Sequence, residues 1–236
     1  MTAAPAPRWE TLEAPRRARD VALVRARLPE LVPWARTVED DWLDPAERAR
    51  RDGYRRPEDR EAFLARRCLL RAVLAERLGT EPAVVPLGPA PGAAGRRGKP
   101  AVPGLHFSLS SAGGQVLLAT AARELGLDVE RVPDPAGAEQ MSRILHPAER
   151  RRLAWTLRSR RPAVVARVWA RKESLLKALG TGLSRDPSLD RVGTGRFPAR
   201  PLPGWRVLDL DLGPDGRELR AALTVREPHP SPRSTM

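Results

Sequence analysis

Apolar residues recur along the chain with two periods, and each period marks a different kind of element. Between Glu58 and Gly79, Phe63 and Leu64 are followed by Leu70, Leu74 and Leu78 at six- and four-residue spacings. That is the pattern of an amphipathic helix over 58–79, with Gly79 closing its end. A shorter helix is expected before it, opened by Asp44 and Pro45 and followed by a basic loop through "RRDGYRRP". From 82 to 104, proline and glycine interrupt every period, so this stretch reads as a long connection. At "LHFSLS", residues 105–110, the period switches to two. Leu105, Phe107 and Leu109 fall on one face, His106, Ser108 and Ser110 on the other. The turn "SSAGG" and the strand "QVLLATAA" complete a hairpin.

The next extended run is "ELGLDVERV", residues 124–132, in which Leu127 and Val129 alternate with Asp128 and Glu130. The two carboxylates then share one face of a strand, ~7 Å apart. Acids so placed repel each other unless water screens them or a cation sits between them. Further on, "LHPAERRRLAWTL" begins a helix at Pro147, and a longer helix is expected over 163–179, stopping at Gly180. The segment "WRVLDLDLGPDGRELRAALTV" reads as two strands around a Gly-Pro-Asp-Gly turn. Asp209 and Asp211 repeat the i, i+2 spacing of acids, but no third acid on a neighbouring helix accompanies them, and they read as solvated strand acids.

Composition narrows the classes. With 236 residues, 41% hydrophobic and 30% charged, the chain is of the folded globular kind. No apolar run approaches the ~20 residues of a membrane span, so no membrane partner is expected. The first twenty residues lack the apolar middle of a signal peptide. A single cysteine, Cys68, leaves no intrachain disulfide and fits a reducing cytoplasm. The net charge of +13 raises the question of nucleic acid. Arginine is spread along the whole chain and is not interleaved with aromatics, which argues against it and leaves an acidic protein or a polyphosphate as partner. Among 42 basic residues only Lys99, Lys172 and Lys177 are lysine. They lie in "GRRGKPAVP" and "WARKESLLKALG", and a compact ammonium is not interchangeable with a planar guanidinium. On a helix, Glu173 and Lys177 share a face that borders the apolar arc of Trp169, Leu175, Leu176 and Leu179. Lys172 projects into that arc, where it either snorkels or meets a buried anion.

Four segments in order, "GKP", "HFSLSSAGG", "GLDVE" and "WARKESLLKALGTGL", resemble the motifs of 4′-phosphopantetheinyl transferases of the Sfp type over residues 98–184. The resemblance implies an α+β fold made of a pseudo-twofold pair of similar subdomains, each a small antiparallel sheet packed with helices. Residues 1–124 would form the N-terminal subdomain, with coenzyme A phosphate-binding segments, and 125–236 the C-terminal one, with metal and catalytic residues. It further implies that Asp128, Glu130 and Glu173 hold Mg²⁺, with Mn²⁺ an alternative, against the pyrophosphate of coenzyme A. Hard oxygen donors without a histidine or cysteine cluster suit those ions. By the same resemblance Glu173 is the catalytic base, with Lys177 to orient it or balance charge. Arg50, Lys99, Ser110 and Ser111 would bind the phosphates of coenzyme A, and the acceptor would be a serine of an acyl or peptidyl carrier protein, met by a monomer. The rival readings are a relative that binds coenzyme A without turnover and a basic protein that binds nucleic acid or an acidic partner.

One position departs from the family pattern. Where that pattern reads Ser-His-Ser-Gly, this chain has Ser110-Ser111-Ala112-Gly113. The family histidine is understood to contact the 3′-phosphate of coenzyme A, and a serine offers only a neutral hydrogen bond, weaker than a charged one. An arginine nearby supplies the contact, or the 3′-phosphate matters less and dephospho-coenzyme A competes as donor, or catalysis has been lost. The basic charge favours the first reading, and the intact acids with Lys177 speak against the last.

Overall fold

The computed structural model describes Pro7 and residues 9–89 and 100–228. The chain opens with strands β1 (Glu10–Leu12) and β2 (Ala22–Arg27), followed by helices α1 (Leu28–Trp42), α2 (Pro45–Asp52) and α3 (Pro57–Leu78). A short ladder of β3 (Gly88–Pro89) and β4 (Pro100–Ala101) precedes the hairpin β5 (His106–Ala112) and β6 (Gln115–Ala121). Then come β7 (Leu125–Arg131), α4 (Pro135–Ser142), α5 (Pro147–Ala154), α6 (Arg161–Leu179), β8 (Trp205–Leu210) and β9 (Leu219–Arg226).

Local chemistry sets the helix boundaries. At α2, Asp44 accepts from the Glu47 amide at 2.8 Å and Glu47 accepts from the Asp44 amide at 3.1 Å, a reciprocal cap that satisfies two otherwise unpaired donors. Gly79 and Gly180 end α3 and α6 at φ 64° and 71°, left-handed backbone that a side chain would resist.

The strands form two larger antiparallel sheets, ordered β1-β2-β6-β5 and β7-β9-β8. One face of the first sheet, with Val24, Ala26, Phe107, Val116 and Leu118, packs with α1 and α3. Its other face, with Leu23, Leu117, Ala119 and Ala121, meets Leu125, Leu127 and Val129 of β7 and Leu223 and Val225 of β9. Helix α6 covers the remaining face of the second sheet. The order is therefore helices, sheet, sheet, helix, and it explains why every residue of β6 is buried. The α+β class with small antiparallel sheets and packed helices agrees with the expectation. No helix among the described residues is long and apolar enough to cross a membrane.

The structure adds elements that the pattern does not foretell. β1, β2, α1 and α4 have no expected counterpart, and the connection over 82–104 holds the β3–β4 ladder. β2 escapes a pattern reading because Arg25 interrupts its apolar run. That side chain is buried, donating to Gln115 Oε1 at 3.0 Å and to the Leu212 carbonyl at 2.8 Å. The reading of Asp209 as a solvated acid is corrected: its Oδ1 accepts from Arg171 Nε at 2.7 Å, and the Arg171 side chain is fully buried. A buried guanidinium must be paired, and β8 supplies the acid. Asp211 is exposed and accepts from the Gly213 amide.

Candidate active site

The site begins at a glycine. On β7, Gly126, Asp128 and Glu130 point to the face opposite Leu125, Leu127 and Val129, toward α6. A β-carbon at position 126 would lie well inside van der Waals contact of the Ser174 carbonyl oxygen and the Ala178 amide nitrogen. The missing side chain lets strand and helix backbones touch there, one residue pair away from Asp128 and beside Lys177. Gly126→Ala should therefore force β7 and α6 apart and cost about 1–3 kcal/mol or more. A urea denaturation midpoint unchanged by the substitution would contradict this packing.

Asp128 lies at the seam where β7 runs beside β5. Its Oδ1 accepts from Lys177 Nζ at 2.6 Å and from Ser110 Oγ at 2.8 Å, and Lys177 also reaches Ser110 Oγ at 3.0 Å. Ser108 ties the same two strands together, its Oγ accepting from the Leu127 amide at 2.9 Å. The Oδ2 atom of Asp128 is buried and receives no hydrogen bond. An unsatisfied buried carboxylate oxygen is costly, and it marks a place for a positively charged or donating partner.

The other two acids share this environment. Burial is the largest influence on Glu130, followed by the charge of Asp128, and together they push its carboxyl up to about 7 despite Lys177. Glu173 is also held above its ordinary value, by burial first and then by Asp128, with Lys177 opposing. Asp128 is raised by burial, an effect that Lys177 and Ser110 reduce. Three carboxyl groups and one ammonium thus feel one another across β7 and α6. Among the described residues no three such side chains already encircle a single point as a closed metal site does. The donor set still fits a hard divalent cation, because its atoms are carboxylate oxygens and one of them is orphaned.

The raised carboxyls have a consequence for stability. Folded Glu130 holds its proton more tightly than the unfolded chain does, so its contribution is greatest at acid pH and is lost as the pH rises through about 7. In a chelator, the melting temperature should fall as the pH rises from about 4.5 to about 7, and Glu130→Gln should flatten that fall. Equal slopes for the two proteins would contradict the arrangement.

Lys172, next to Glu173, faces away from this cluster. It is buried against Glu149 at 2.9 Å and donates to the carbonyls of Pro187 and Asp190 at 2.8 and 2.6 Å. The expectation that it snorkels or meets a buried anion resolves to the second. Cys68 is buried, which pushes its thiol up to about 12 and leaves it unreactive. His106 is exposed on β5.

The candidate phosphate contacts divide. Ser110 is buried in the Asp128–Lys177 cluster, whereas Ser111 accepts from Arg66 Nη1 at 3.3 Å. Arg50 lies over the Phe63 ring, 5.5 Å from its centroid, and Arg67 lies 5.4 Å from the same centroid. Lys99 lies outside the described residues. Pattern reading missed Arg66, Gly126 and Glu149. Arg66 could have been noticed as a charge beside the apolar arc of α3, while Glu149 carried no signal beyond its place in a helix cap.

A model of the 4′-phosphopantetheinyl transferase superfamily matches residues 124–209, which include β7 and α6. The chain is 31% identical over 178 residues to "4′-phosphopantetheinyl transferase HetI" of Nostoc sp., covering 71% of this chain and 73% of that one. It is 28% identical over 127 residues to the 4′-phosphopantetheinyl transferase of Bacillus subtilis, covering 54% of this chain and 55% of that one. A holo-[acyl-carrier-protein] synthase of Ruegeria sp. is 39% identical over 71 residues, 28% of this chain and 49% of that protein. The protein is thus a member of the 4′-phosphopantetheinyl transferase superfamily.

Proposed function

We propose that the protein transfers the 4′-phosphopantetheine group of coenzyme A to a serine of an acyl or peptidyl carrier protein, releasing adenosine 3′,5′-bisphosphate. The observation that carries this reading is the cluster of Asp128, Glu130, Glu173 and Lys177, with a buried carboxylate oxygen lacking a donor, in a member of this superfamily. Asp128, Glu130 and Glu173 would hold Mg²⁺ or Mn²⁺. When bound, the ion supplies positive charge that makes the attacked phosphorus more electrophilic.

The chain's own residues account for the proton. The serine oxygen of the carrier forms a bond to the phosphorus next to pantetheine, and the bond from that phosphorus to the bridging oxygen breaks. Glu173 accepts the serine proton. Its carboxyl, raised by burial and by Asp128, is a stronger base than an ordinary carboxylate. Lys177 favours the ionised form of Asp128 against the effect of burial and positions Ser110 along the path of the pyrophosphate. Both halves of the fold, 1–124 and 125–236, act within one chain in this reading, the arrangement of the Sfp type, so a monomer suffices.

A second region suits the carrier. Between α4, α5 and α6 lies a cleft of about 960 Å³ lined by Arg143, Arg150, Arg151, Arg158 and Arg161. Trp155 and Leu157 follow α5 and are exposed. Five guanidinium groups with apolar side chains nearby fit an acidic partner that also offers an apolar contact.

The reaction itself is the test. Incubation with coenzyme A, Mg²⁺ and an apo carrier should release adenosine 3′,5′-bisphosphate in step with carrier modified. A carrier whose serine is replaced by alanine should release none. Coenzyme A binding without release across several unrelated carriers would reduce the protein to a coenzyme A binder and overturn the proposal.

A further inference from the structure

Arg66 on α3 is half-buried, and among the described residues no carboxylate lies within ion-pair distance of it. Its neighbours differ. Arg67 is 3.3 Å from Glu47, and Arg71, one turn on, is 2.8 Å from the same acid. What Arg66 does reach is the hydroxyl of Ser111, at 3.3 Å. Burial weighs most against the charge on Arg66 and Arg50 adds to it, while Tyr54 and Asp59 offset only part of that cost. A partly desolvated guanidinium, with a second cation close by and no carboxylate in ion-pair contact, is incompletely compensated until an anion joins it.

The neighbouring serine says how that anion relates to the reacting centre. Ser110 and Ser111 are consecutive on β5, so their side chains leave opposite faces of the strand. Ser110 turns to Asp128 and Lys177, and Ser111 to Arg66. A ligand that engages both must carry anionic groups at two separated points. Coenzyme A does, with a pyrophosphate and a ribose phosphomonoester. We infer that Arg66, with the Ser111 hydroxyl and Arg50, binds the 3′-phosphomonoester of coenzyme A, so that α3 and not β5 supplies the cation there. The inference rests on coenzyme A as the proposed donor. It also makes Arg66 the residue that separates coenzyme A from dephospho-coenzyme A, which lacks only that group.

Titration calorimetry of the whole protein with both compounds tests this. The wild type should bind coenzyme A roughly ten- to a hundredfold more tightly than dephospho-coenzyme A, the range of one charge-assisted contact. Arg66→Gln should remove most of that ratio. Arg77→Gln, which deletes the same charge from the exposed end of α3, should keep it. Each ratio is internal to one protein sample, so a fraction of unfolded variant does not distort it. A wild type that binds both equally, or an Arg66→Gln variant that discriminates as well as the wild type, overturns the inference while leaving coenzyme A as the donor. A wild type that binds neither compound overturns the proposed donor itself.

Discussion

Replacing Glu173 by glutamine should cut phosphopantetheine transfer by ~10²–10⁴-fold, the usual contribution of a positioned general base, while leaving the fold intact. Glutamine matches the shape of the side chain but accepts no proton. The stability side of the expectation comes from the charges around it. Asp128 disfavours the ionised form of Glu173, so removing that charge relieves repulsion across the β7–α6 contact. In a chelator at neutral pH the variant should melt no lower than the wild type. Lost transfer with unchanged or improved melting assigns Glu173 to chemistry. Rate and melting temperature falling together would make it a structural residue instead.

The second large effect lies one residue earlier. Lys172→Met should destabilise the protein by about 3–5 kcal/mol, because it leaves the buried Glu149 carboxylate without its cation. That acid accepts from the amides of Val192 and Gly193 at 2.8 and 2.9 Å, and from the His146 amide at 3.2 Å. Lys172 in turn joins α6 to the loop over 187–190 through two carbonyls. The pair thus fixes how α6 is turned, and so where Glu173 points. For a chain of this size the loss corresponds to roughly 6–20 °C in melting temperature. The double variant Lys172→Met, Glu149→Gln should recover part of it, since replacing both partners leaves no unpaired charge. A single variant within about 1 kcal/mol of the wild type would contradict the account of the pair.

These neighbours also show what the sequence could reveal. The acids of β7 and the Glu173–Lys177 pair were legible because their spacing is local: two residues on a strand, four on a helix. That Lys177 meets Asp128 was not, since the contact spans 49 positions and depends on Gly126 letting two backbones touch. α3, α6, β5, β6, β8 and β9 follow from periodicity and glycine stops. β2 does not, because Arg25 breaks its pattern and its pairing with β6 is formed almost a hundred residues away. Asp209 and Asp128 look alike in sequence, and only the fold distinguishes them. One meets a buried arginine of α6, the other a lysine of α6 and a serine of β5. Arg66 stayed hidden for a related reason: in a chain with 42 basic residues one more arginine carries no signal until Ser111 is seen beside it.

The measurement that bears most directly on the central claim is the intact mass of an apo carrier protein after incubation with this protein and coenzyme A, with Mg²⁺ and, in parallel, with a chelator. The carrier should gain one phosphopantetheine in Mg²⁺ and none in the chelator, with Glu173→Gln close to the chelated control. A carrier modified equally well in the chelator, or as fast by Glu173→Gln as by the wild type, would contradict that claim.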